Sequence, residues 1–133
     1  MTLKPFVLAA IISVAGCGES ATAPTIDGTY RLQRVNGGPL PGILETSLTD
    51  TTRATGGTLT MNGDRTWRAE VVLSITSGGV TTPAVTTESG TYTRAGEAIT
   101  LRAASDGSVV SGTLQGATLK TVIDGVSLEF ERQ

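Results

Sequence analysis

The sequence predicts an all-β protein, an antiparallel up-and-down barrel of about eight strands, with an open β-sandwich as the alternative. Three observations lead there. From Gly28 onward apolar residues recur with period two, the period of a half-buried strand. Turn pairs built from Gly, Asn and Asp divide these runs at hairpin intervals. No window carries the stripe of an amphipathic helix.

The first element stands apart from this pattern. Lys4 is the only charged side chain in the first eighteen residues, and it precedes "PFVLAAIISVAG", twelve residues with a single serine among them. A helix needs roughly 20 apolar residues to cross a hydrocarbon core, so this run is too short to span one. A charged start, a short apolar middle and small residues at the end read as an export signal over residues 1–16, outside the fold.

The residues that follow are more specific. Val14, Ala15, Gly16 and Cys17 resemble the lipobox of bacterial lipoproteins: an aliphatic residue, two small ones, then cysteine. The resemblance implies that the Cys17 thiol carries a diacylglycerol, that cleavage precedes Cys17, and that the membrane partner is reached through this N-terminal lipid. Several acyl chains anchor stably where one is marginal. In diderm relatives an Asp after the cysteine marks retention at the inner membrane; Gly18 stands there instead, which implies the outer membrane. As the lone cysteine, Cys17 also excludes an internal disulfide. The alternative is a small buried cysteine within an ordinary secretory signal. Residues 17–27, rich in small polar residues and interrupted by Pro24, read as a flexible tether, and the barrel domain is expected over 28–133.

Strands are expected near 28–35, 56–62, 65–77, 81–94, 97–103, 109–114, 117–123 and 126–132. The clearest is "RTWRAEVVLSITS" at 65–77, where Trp67, Ala69, Val71, Leu73 and Ile75 share one face and Arg68, Glu70, Ser74 and Thr76 the other. Only Val72 breaks the alternation. The same phasing pairs Tyr30 with Leu32, Leu59 with Met61, Ile99 with Leu101, and Leu128 with Phe130. "NGD" at 62–64, "AGE" at 95–97, "SDGS" at 105–108, "QG" at 115–116 and "DG" at 124–125 supply residues that accept positive φ. "GTY" or "GTL" opens a strand at 28, 57, 90 and 112, a repeated hairpin grammar. Closing the sheet buries the apolar face and removes both edges.

Residues 36–56, "NGGPLPGILETSLTDTTRATG", break the rhythm. Pro39 and Pro41 forbid a central strand, leaving a short edge strand or a lid over the barrel mouth. Long loops often carry function, so a site is sought here first.

The order of elements resembles small lipocalin-like domains of bacterial lipoproteins, with "GTY" at 28–30 where that family has G-x-W and Tyr30 in place of the tryptophan. The family's packed helix has no counterpart before Gln133. The resemblance implies a barrel able to enclose a small ligand. An eight-strand barrel is just wide enough either to be filled by its own side chains or to hold one small molecule. Trp67 and Tyr92 are then the natural ligand contacts, and ordinary core is the other reading of both. Arg34, Arg94 and Arg132 are in phase with inward residues near strand ends. They either gather at one mouth to take a carboxylate or phosphate head group, or cap the core by snorkelling.

Composition narrows the chemistry. Residues 17–133 hold 9 basic and 12 acidic side chains, a net charge of −3, which argues against a nucleic-acid partner. The chain has no histidine, and with Cys17 acylated no soft metal ligand remains. Glu70 and Glu88 read as solvated surface charge rather than a shielded acid/base pair. "GTLQGATLKT" lacks the G-K pair of a phosphate loop, and "NGD" and "SDGS" lack the spaced oxygens of a calcium loop. No metal or cofactor is expected and no enzyme. The expectation is a lipid-anchored envelope protein whose barrel binds a small apolar or amphiphilic molecule, or else a filled barrel serving as an interaction module.

Overall fold

The computed structural model describes residues 25–133. The segments expected to be the signal, the lipobox with Cys17 and most of the tether lie outside the described residues. Ten strands and no helix make up the described chain: β1 (Gly28–Val35), β2 (Gly38–Pro39), β3 (Gly42–Thr46), β4 (Asp50–Met61), β5 (Thr66–Ser77), β6 (Val80–Ala95), β7 (Ala98–Ala103), β8 (Val109–Gln115), β9 (Thr118–Ile123) and β10 (Val126–Arg132).

From β4 to β10 each strand pairs antiparallel with the next, and β10 pairs with β1. Ladder pairs from Gly28↔Met61 to Arg31↔Thr58 then join β1 to β4 and close an eight-strand barrel. Closure satisfies the edges an open sandwich would leave bare, and the barrel is the form adopted. The two extra strands come from 36–56. β2 folds back on the end of β1, β3 pairs with the first half of β4, and no lid forms. The edge-strand reading of this stretch is therefore the one realised, for residues 42–46.

One end of the barrel is packed shut. Tyr30, Leu59, Met61, Trp67, Tyr92, Ile99, Leu114, Leu119 and Phe130 are all buried there. Each is an inward residue close to the end of its strand, so alternation concentrates bulk in one place. Ile26, from the stretch expected to be tether, completes the plug: it is buried, and its carbonyl accepts the Tyr30 hydroxyl at 2.7 Å. The folded domain thus begins before Asp27.

Toward the other end the wall flares. β6 pairs with β7 only from Gly90 to Ala95, while its first ten residues pair with β5 alone. Together with β3 and β4 this long β5–β6 hairpin forms a sheet that projects past the barrel rim. The turns follow the sequence: Gly96, Gly107, Gly116 and Gly125 all have positive φ. At 62–66 the positive φ falls on Arg65 rather than on glycine (φ 72°), in a turn held by Asp64 Oδ1 accepting the Thr66 amide at 3.1 Å.

Candidate functional site

The barrel contains a cavity because the bulk of the closed end is not repeated above it. Two residues further along the inward face, Trp67 gives way to Ala69, Tyr92 to Gly90, Leu114 to Gly112 and Leu59 to Gly57. Of these four only Ala69 lines the open space; the Cβ directions of the three glycines point at neighbouring backbone, and that of Gly57 also at Leu32. The glycines also allow close approach of backbones: a Cβ on Gly57 would lie 3.0 Å from the Glu70 carbonyl, and one on Gly90 would collide with the carbonyl of Arg102.

The space left is an inner chamber of about 250 Å³. Its floor and walls are Trp67, Ala69, Val71, Leu101, Val110, Leu128 and Phe130, with Thr86, Thr87 and Glu88 of the flared hairpin on one side. An outer chamber of about 550 Å³ adjoins it, sharing Val71, Thr86, Ile123 and Leu128. Leu44, Glu45 and Thr52 form one wall of this outer space and the β9–β10 turn at Asp124 another. The 36–56 stretch therefore builds the mouth as a wall. Both volumes lie in or near the range of small-molecule sites.

Polar groups in the inner chamber are few. Thr121 on β9 is buried (3 % exposed), lines the chamber, and its Oγ1 has no hydrogen-bond partner among the described residues. Buried hydroxyls are normally bonded, so this one calls for an explanation. Glu88 leans across the gap between the flared β6 and the β7–β8 turn, where its Oε2 accepts the Ser105 hydroxyl at 2.9 Å. Glu45, Glu88 and Asp124 are carboxylates, and no Lys or Arg lines either chamber among the described residues.

The aromatic pair expected to contact a ligand divides. Trp67 lies on the chamber floor, its indole N–H held by the Thr91 carbonyl at 2.9 Å. Tyr92 belongs to the packed end, donating its hydroxyl to the Asn62 carbonyl at 2.7 Å. Burial pushes the Tyr92 phenol above its ordinary range, helped by the negative charge of Asp27.

The three arginines do not gather. A bulge in β1 between Leu32 and Arg34 resets the phase, so Val35 turns inward and Arg34 points out, 3.9 Å from Glu129. Arg94 lies beside the β6–β7 turn, donating from Nε to the Gly96 carbonyl at 2.8 Å. Arg132 clamps the closed end: its guanidinium stands 5.4 Å over the Tyr30 ring and donates to the carbonyls of Thr25 (2.8 Å) and Asp27. Arg34 is thus at the opposite end of the barrel from Arg94 and Arg132, as strand direction requires of an eight-strand count. None lines the chambers, so a head group held by all three is ruled out by geometry.

Thr121 and Ala69 line the inner chamber and were passed over as site residues by sequence reasoning. The "GT" echo at 57, 90 and 112 marks glycines at close approaches to neighbouring strands, not chamber walls. Among the described residues no group of three His, Cys, Asp or Glu side chains is placed to hold a metal ion. Comparison with protein-family models, with curated proteins and with solved structures finds no match to this chain.

Proposed function

We propose that this is a lipid-anchored protein of the bacterial envelope that binds one small apolar or amphiphilic molecule inside its barrel, without catalysing a reaction on it. The observation that carries the reading is the apolar inner chamber of about 250 Å³, bounded by Trp67 and Phe130 below and continuous with a wider mouth. A barrel this narrow is easily filled by its own side chains, so an interior left open beside Ala69, above Trp67 and Phe130, favours a guest. The lipobox-like "VAGC" at 14–17 supports attachment through Cys17, and Gly18 supports the outer membrane as the destination.

A second reading, an envelope interaction module, is favoured by one feature. Among the described residues the outer edge of β6 over 80–88 pairs with no strand, and Val80 and Val85 are exposed along it. Such an edge is a template for strand addition, although Pro83 and the threonines blunt it.

Native mass spectrometry with organic extraction, on protein purified from an envelope-like lysate, separates the two. A co-purifying species of defined mass that is displaced when the chamber is filled by mutation supports the carrier or sensor. An apo mass at every lipid load tested refutes the ligand reading.

A further inference from the structure

The floor of the inner chamber offers a guest hydrocarbon and no free hydrogen-bonding group. Trp67 and Phe130 close it below, and the one polar atom of the indole is already bonded to the Thr91 carbonyl. The Thr121 hydroxyl oxygen is buried out of reach, and no Lys or Arg lines the space among the described residues. Selection at this depth therefore runs through the volume of apolar surface buried. An apolar cavity of about 150 Å³ takes one benzene, about 25 Å³ per carbon, so a chamber of about 250 Å³ has room for about ten carbons. We infer that the inner chamber gauges the apolar end of an amphiphile at about ten carbons, and that Ala69 is the residue that sets this limit. This rests on the ligand-binding reading above.

Ala69 has this role because of where its methyl group stands. It lies one inward step above Trp67 on β5, and of the two alanines lining the chamber it is the half-buried one, Ala103 being only 6 % exposed. The surface that Ala69 keeps is surface against the open space. A longer side chain at this position enters the chamber and takes the place of ligand carbons.

Past the limit the surroundings change. The outer chamber mixes Leu73 and Ile123 with Thr86 and the exposed carboxylates Glu45 and Asp124. A methylene there stays partly in water, so it contributes less than the roughly fourfold gain in affinity that full burial gives. The polar end of the ligand remains in this outer space, where it keeps its hydration.

The test titrates para-alkylphenols, from para-cresol with seven carbons to para-hexylphenol with twelve, by calorimetry and by the emission of Trp67, the single tryptophan. Affinity is expected to rise roughly fourfold per methylene as far as para-butylphenol, the ten-carbon member, and by less than about twofold per methylene beyond it. Ala69→Val and Ala69→Leu add two and three carbons to the lining and are expected to bring the break down to about eight and about seven carbons. In Ala69→Leu the preference for para-butylphenol over para-cresol then falls from roughly fiftyfold to under about fivefold. A single slope through twelve carbons in the wild type, or a break that stays at ten in both variants, overturns the inference and leaves the ligand-binding reading standing. Failure of every probe to bind the wild-type protein overturns both.

Discussion

Gly112 on β8 lies so close to β9 that a Cβ in its place would stand 2.7 Å from the Lys120 carbonyl and 3.1 Å from Thr121 Cγ2. The backbone oxygen cannot move aside without breaking its ladder. Gly112→Ala is therefore expected to lower stability by about 1–3 kcal/mol, the usual range for overpacking, with urea denaturation as the measurement. An unchanged midpoint would mean that β8 and β9 separate without cost.

Ala69 is only half-buried because it faces the inner chamber rather than another side chain. Ala69→Leu adds volume into open space, so the fold should change by less than about 1 kcal/mol while para-butylphenol affinity falls more than about tenfold. Calorimetry and a thermal melt on the same sample separate the two effects. Retained binding would place the guest outside the inner chamber.

Arg132 holds the N-terminal plug, donating to Thr25 and Asp27 and stacking on Tyr30. Removing it in Arg132→Ala orphans those carbonyls and is expected to cost about 2 kcal/mol, with lysine recovering little because it lacks the planar fork. Hydrogen exchange at Ile26 through Gly28 should speed up in both variants. Unchanged exchange would show that Ile26 holds itself in place by packing alone.

The Tyr92 phenol is raised above its ordinary value of 10.0, first by burial and then by the charge on Asp27. Between the unfolded and folded values the folded state binds more protons, so stability falls as pH rises there. The contribution is complete below the unfolded value and is lost through the folded one. Urea midpoints measured at about pH 8 and about pH 11 should drop more in the wild type than in Tyr92→Phe, which removes the ionisation. Equal drops would assign the alkaline loss to other groups.

For the anchor, Cys17→Ser expressed in a diderm bacterium is expected to take up no labelled fatty acid and to accumulate as uncleaved precursor. Normal acylation and membrane retention of that variant would refute lipid attachment at Cys17.

The sequence by itself determined the strands and their phase. Alternation is a local property, and each expected strand is found, with ends shifted by no more than one residue everywhere except the start of β4, which comes six residues early at Asp50. That exception has a tertiary cause, since "DTTRAT" has no apolar face of its own and becomes a strand by pairing with β3 and β5. Turn positions were equally legible, because positive φ selects Gly, Asn and Asp, with Arg65 the exception among the described residues. Tertiary structure decided the site. One bulge in β1 turned Arg34 away from the interior, and antiparallel direction put it at the far end from Arg132. The same inward phase made Tyr92 a plug and Trp67 a floor, because Tyr92 turns its hydroxyl to the Asn62 carbonyl at the closed end while Ala69 leaves open space above Trp67. A cavity is a property of what faces what across the barrel, and facing residues such as Ala69, Thr121 and Leu101 lie on strands scattered along the chain, so no local pattern discloses it.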